Sequence, residues 1–391
     1  MAANRYDGCR KKRFVKETRV HAPGMTTFDA RWWGAAILPL LLTGCGGGGD
    51  STSTGSAVVV APTPTPAPSP TATPASATPS PTPSATASPA AASSFPAAPA
   101  APASWSAGIA ALYTSPPDVP NCQPGTLAAS VKADVLMRLN ALRALHRLPA
   151  VTYSDADENQ ATQAALMMAA NGQLSHTPPT TWACYTATGS SGAGSSNLYG
   201  GLISPYLAFY SEDMYLAGWM TETANIVANS VGHRRWILNP FLGKISYGRV
   251  AQLLSDGRRT DAAAMKMFGF TGGVAVPGNL PPFVAYPYGD YPARYFDPAA
   301  LLSISVVADT TQRGGANATV DFSRATIAVK AGTQTLTVSN VTYDNDGYGL
   351  PNNLQFAVAG LQNNVQYDVT ITNVIVRGAA QSYSYSFRTV S

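Results

Sequence analysis

The sequence predicts an α+β protein in which a mixed domain of helices followed by strands, residues 105–275, precedes an all-β sandwich, residues 276–391. Three observations predict it. Apolar residues recur at three- and four-residue steps through residues 126–171. Short β-branched or aromatic runs punctuated by glycine occupy residues 244–270, and beyond residue 298 apolar and polar residues alternate with a period of two. A chain of 391 residues has room for two or three folded parts.

The amino-terminal 44 residues read as leader and signal. Met25 opens a short polar stretch ending in Arg31, followed by the apolar run Trp32 to Leu42 and then Leu42-Thr43-Gly44-Cys45. That run is too short to span a bilayer as a helix and has the size of a signal h-region. Leu-Thr-Gly-Cys resembles the lipobox of bacterial lipoproteins, which implies cleavage before Cys45, lipidation of its thiol and anchoring to a membrane. Residues 1–24 carry no apolar run, so Met25 is the expected start. Gly46 after the cysteine resembles an outer-membrane sorting signal. The expected location is therefore the bacterial cell envelope, as an outer-membrane or surface lipoprotein.

Residues 45–104 follow as a spacer rich in Pro, Ala, Ser and Thr. From Ser51 to Pro117 there is no Lys, Arg, Asp or Glu. Repeated X-Pro steps fix φ and remove backbone donors, so the segment favours extended polyproline II and builds no core. Charge is low throughout, at 12% of residues, and the formal balance of +4 is misleading. Eight basic and three acidic side chains lie in residues 1–31, which leaves 17 basic and 18 acidic residues from Cys45 onward. A nearly neutral exported chain has no cationic surface to release counterions from a phosphate backbone, so nucleic acid is excluded as a partner. Oligomeric state is not readable. Cys122 and Cys184 remain as an even pair and read as one disulfide, with free thiols or metal ligation as the alternative.

Within residues 105–275, Val131, Val135, Leu136, Leu139, Leu142 and Leu145 mark an amphipathic helix over 126–147. A second helix is expected over 155–171, with Asp155, Asp157 and Glu158 at its positive end, a small-residue face from Ala161 to Ala169, and Gly172 as its stop. Residues 172–201 read as a polar loop. A third helix is expected over 211–222 and a short one over 232–240, closed by Pro240; strands follow at 244–250 and 262–270. His146, at a helix end, reads as a dipole partner.

This order, with Asn140 and Arg143, Ser175-His176, Trp219 with Glu222, and Ser230 through Gly232-His233-Arg234 to Asn239-Pro240, resembles the CAP superfamily of cysteine-rich secretory, antigen 5 and pathogenesis-related 1 proteins. The resemblance covers Trp105 to Thr271 and implies a CAP-type α-β-α sandwich with a cavity at His176, Glu222 and His233. Two imidazoles and a carboxylate form the donor set of a zinc site that keeps a water, which would suit a hydrolase. Where the family places a second glutamate, this chain has Ser196, which removes a general base or an orienting acceptor. Non-catalytic binding of a lipid-like, sterol or glycan ligand is therefore the preferred expectation, with a zinc-dependent hydrolase or a purely structural surface protein as alternatives. The histidines could also be structural, and Glu222 a solvated helix-face carboxylate. An uncharged stretch from Asn159 to Ser211 carries Trp182, Tyr185, Tyr199, Tyr206, Phe209 and Tyr210, which either pack the loop or border a ligand site. No Gly-x-Ser-x-Gly elbow occurs in the folded part.

After a Pro- and Tyr-rich connector over 277–298, short strands are expected at 302–306, 319–322, 326–330, 336–338, 356–358, 367–372 and 383–389, as in an Ig-like or fibronectin III-like sandwich. Leu361 and Tyr367 have the spacing of a tyrosine corner.

Overall fold

The structure, a computed structural model, describes residues 95–391. The expected signal segment, the lipidation residue Cys45 and the spacer up to residue 94 lie outside the described residues. Among the described residues no helix is long and apolar enough to cross a membrane.

The first element of the described residues is α1 (Trp105–Ala110), whose first turn is capped by the Ser104 hydroxyl accepting from the Ala107 N–H at 3.1 Å. A small ribbon of β1 (Tyr113–Ser115) and β2 (Thr126–Leu127) leads into α2 (Ala129–Leu145). Next come β3 (Thr152–Tyr153) and α3 (Glu158–Asn171). The stretch expected to be loop instead forms α4 (Ala187–Gly194) and β4 (Ser196–Ser204). Then follow α5 (Glu212–Thr221), α6 (Gly232–Ile237), β5 (Lys244–Leu253) and β6 (Arg259–Lys266). Cys122 and Cys184 form the expected disulfide.

The four strands pair in the order β3-β5-β6-β4, antiparallel except for β3 beside β5. Because successive strand residues face opposite sides, the sheet separates two layers. Val250, Ala262 and Ala264 pack with the alanines of α3, while Tyr247, Ala263 and Met265 join a core shared with α2, α5 and α6. The small-residue face of α3 is packed from two sides. A Cβ on Gly248 would lie 2.4 Å from the Thr162 nitrogen, and one on Gly192 of α4 would lie 2.0 Å from the Gln160 carbonyl oxygen. Backbone therefore meets backbone, and only glycine permits it.

The carboxyl-terminal part is all-β. The expected connector contributes two strands, β7 (Phe283–Tyr286) and β8 (Gly289–Pro292). They precede β9 (Leu302–Val306), β10 (Thr326–Ala331), β11 (Gln334–Thr335), β12 (Val338–Asp344), β13 (Asn353–Val358), β14 (Gln366–Val376) and β15 (Ala379–Val390). One sheet has the order β12-β13-β9-β7 and the other β11-β10-β14-β15-β8. The strand expected at 319–322 is instead a 3-10 turn over Gly315–Thr319 and a single bridge between Asp321 and Ile375, since local turn bonding takes the backbone first. Tyr367 is buried, and its hydroxyl accepts from the Gln362 N–H at 2.7 Å.

The core on the α2 side of the central sheet continues without a break into these sheets, through Tyr286, Tyr291, Leu302, Phe356 and Phe387. Buried polar groups cross the junction too. Asp213 of α5 accepts from Arg138 at 2.9 Å, from Arg294 at 2.9 Å and from the Tyr295 hydroxyl at 2.6 Å. His146, expected to be a helix-dipole partner, is instead buried, with Nδ1 2.8 Å from the Ala285 carbonyl. Residues at the end of the expected spacer are held as well: Phe95 packs edge-on against Tyr295 with centroids 5.3 Å apart, and Ala97 accepts from Arg138.

Candidate functional site

Four elements converge on the predicted residues: the loop after α3, the α4–β4 junction, the carboxyl end of α5 and the first turn of α6. Glu222 is the C-cap of α5 at φ 61°, a left-handed conformation that helices usually reserve for glycine. A glutamate there costs about 1 kcal/mol in backbone energy. Its side chain offsets that cost. One carboxylate oxygen accepts from the Arg234 backbone N–H at 3.0 Å, and the other from His233 Nδ1 at 2.9 Å and from Asn225 Nδ2 at 2.7 Å. Glu222 is therefore neither a solvated helix-face residue nor a free ligand; it orients His233.

His233 is partly exposed, and its backbone carbonyl accepts from Asn197 Nδ2 at 3.1 Å. His176 is exposed, and its Nδ1 lies 2.8 Å from the carbonyl of Ala193 near the end of α4. Desolvation lowers the His176 pKa from its ordinary value, the Ala193 bond opposes that, and charge on His233 lowers it further. Ser196, the first residue of β4, lies three positions after the anchor of His176 and one before the anchor of His233. It is only 5% exposed, and its hydroxyl has no hydrogen-bond partner. Across the strand pair sits Lys266, whose pKa burial lowers; its ammonium donates to Gln160 Oε1 at 2.7 Å and Ser195 Oγ at 3.0 Å.

The set His176, Glu222 and His233 does not fit a zinc ion. Glu222 meets His233 at Nδ1 rather than standing beside its free Nε2, and among the described residues no group of three or more His, Cys, Asp or Glu is arranged to hold a metal ion. A catalytic zinc needs three protein ligands, and two imidazoles supply two.

Sequence reasoning missed Asn225, which no spacing rule marks; Asn140, Arg143, Asn197 and Trp219 stood in stretches that resemble the family, but the groups they hold were not legible. Arg143, fully buried, donates to the carbonyls of Pro149, Ile237, Asn239 and Leu242 and so fixes the turn that ends α6. Asn140 clasps Val151 through both its amide groups, at 3.0 and 2.8 Å. The Trp219 indole donates to the Leu198 carbonyl at 3.0 Å, tying α5 to β4. Beside His233, Arg234 donates to Leu301 and Ser303 and stacks 3.6 Å over the Tyr286 ring, while Arg235 pairs with Asp344 at 2.8 Å. Of the aromatic stretch, Trp182, Tyr199 and Phe209 pack against the core, whereas Tyr206 is exposed.

Residues 136–252 match the family model of the cysteine-rich secretory protein family, CAP. No curated protein matches the chain.

Proposed function

Starting from a CAP domain at the centre of the chain, we propose that this is an envelope-anchored binding protein, holding an extracellular or envelope ligand between His176 and His233 without catalysis. The observation that carries the reading is the engagement of Glu222. Glu222 accepts from His233 Nδ1, Asn225 and the Arg234 N–H, so it is committed to orienting the imidazole and the first turn of α6 rather than to activating a water. The imidazoles and the Ser196 hydroxyl then serve recognition. Anchoring through Cys45 and the extended spacer would place the cleft away from the membrane surface, among envelope molecules.

The test is capture. The full exported chain and its His176→Ala/His233→Ala variant are incubated with envelope extract, washed, and their bound small molecules and oligosaccharides identified by mass spectrometry. The expected result is a retained compound lost in the double variant, with thermal unfolding unchanged. Equal retention overturns the cleft, and turnover of the retained compound by the wild type alone overturns the non-catalytic reading. For the anchor, Cys45→Ser is expected to move the protein from the detergent phase to the aqueous phase; no change refutes lipidation.

A further inference from the structure

We propose that the seam between the central helices and the carboxyl-terminal sheets is a receptor for an extended phenylalanine-proline segment, which the chain fills with the end of its own spacer, residues 95–97. Phe95 is the only aromatic residue between Cys45 and Trp105, so it alone can set the register of a stretch dominated by repeated Pro, Ala, Ser and Thr. Its ring is partly buried and meets Tyr295 edge-on, with Arg294 Cζ 4.9 Å from its centroid. The rest of the recognition is of backbone. Arg294 Nη2 donates to the Pro96 carbonyl, and Arg138 Nη1 to that of Ala97 at 2.9 Å.

These contacts suit a proline-rich chain. Residues 95–102 lie in neither helix nor strand, and polyproline II backbone makes no internal hydrogen bonds, so its carbonyls are open to outside donors. Proline brings no N–H that the seam would have to satisfy, and its stiffness lowers the entropy lost on docking. The donors are held in place independently of the segment. Asp213, 3% exposed, accepts from Arg138 Nη1 at 2.9 Å, from Arg294 Nε at 2.9 Å and from the Tyr295 hydroxyl at 2.6 Å. Asp134 accepts from Arg138 Nε at 2.8 Å, so two guanidinium groups meet two carboxylates and the seam requires no charge of its occupant. Arg138 and Asp213 stand on α2 and α5, whereas Arg294 and Tyr295 follow β8. The receptor is complete only where the two parts join, and its occupant latches them together.

Three measurements on the full exported chain test this. In urea unfolding, Phe95→Ala and Arg294→Ala are each expected to lower the midpoint, and the double variant to lose less than the two losses added together. Additive losses, or a midpoint that Phe95→Ala leaves unmoved, overturn the latch. A fluorescent peptide of residues 91–101 is expected to bind saturably to the chain vacated by Phe95→Gly/Pro96→Gly. Its binding should be at least tenfold weaker to wild type, whose site is filled, and to the vacated chain carrying Arg294→Ala. No saturable binding by the vacated chain, or equal binding by all three, overturns the receptor. On gel filtration, a wild-type dimer that Arg294→Ala dissolves would place the occupant on a second copy and overturn its assignment to the same chain; a monomer in both is the expected result.

Discussion

On the α3 side of the central sheet, Ala161, Ala164, Ala165 and Ala169 meet Val250, Ala262 and Ala264, whereas on the other side Trp219, Tyr215 and Tyr247 share space with buried Arg249, Arg143 and His146. The first face is dry and depends on closeness, with glycines letting one backbone lie on another. The second is voluminous and depends on satisfied polar groups, each desolvated and each needing its partners. The candidate residues come from both sides, His176 and Ser196 from the α4–β4 side and Glu222 and His233 from α5 and α6.

The comparison breaks most readily at Arg249. Its guanidinium pairs with Asp261 at 2.7 Å and Glu212 at 2.8 Å, entirely inside the protein. Arg249→Leu leaves two buried carboxylates facing each other and is expected to cost about 3–5 kcal/mol, read by urea unfolding. A loss under about 1 kcal/mol would mean that this face tolerates unpaired charge. On the dry face, Gly248→Val forces a side chain into the α3 backbone and is expected to cost about 3 kcal/mol. If it unfolds no more easily than wild type, close approach is not what holds α3.

Acid sharpens the contrast through the buried histidine of the polar face. Burial lowers the His146 pKa from 6.5 to about 3. Below pH 6.5 the unfolded chain takes up a proton that the folded chain refuses, so stability is complete above that pH and falls toward pH 3. The slope is about 1.4 kcal/mol per pH unit for this one group. His146→Asn should flatten the stability profile between pH 6.5 and 4.5, measured by denaturant midpoints at each pH; an unchanged slope would refute the assignment. The smallest effect belongs to neither face. Arg258 and Asp256, exposed at the β5–β6 turn, form a solvated pair, and Arg258→Ala should leave the melting midpoint where it was.

The same contrast sorts what could be read from sequence. The helices of α2, α3 and α5 were legible because their apolar or alanine stripes have helical spacing, and the alanine face of α3 announced a close neighbour. That neighbour, α4, was not legible: Ala-Thr-Gly-Ser-Ser-Gly-Ala-Gly has little helix propensity and is helical because α3 receives it. Strands β7 and β8 were hidden by Pro287, Gly289 and Pro292, which read as connector residues and sit at strand ends. At the site, His176, Ser196, Glu222 and His233 were found through motif spacing. The job of Glu222 was not, since it depends on Asn225, on the Arg234 N–H and on a left-handed C-cap, none of which a pattern of residue types encodes. Arg143 and Arg234 stood in the motif stretches and Arg249 carried no signal, but the burial of all three was not legible because sequence periodicity gives no account of partners elsewhere in the chain.

Helix α6 is six residues long and carries His233 on one side and Arg234 and Arg235 on the other, seated in the carboxyl-terminal sheets. Mechanically it is a short lever with its fulcrum clamped at both ends. Its two guanidinium groups fasten it to β9 and β12, so any displacement of that sheet is passed to the helix that carries His233.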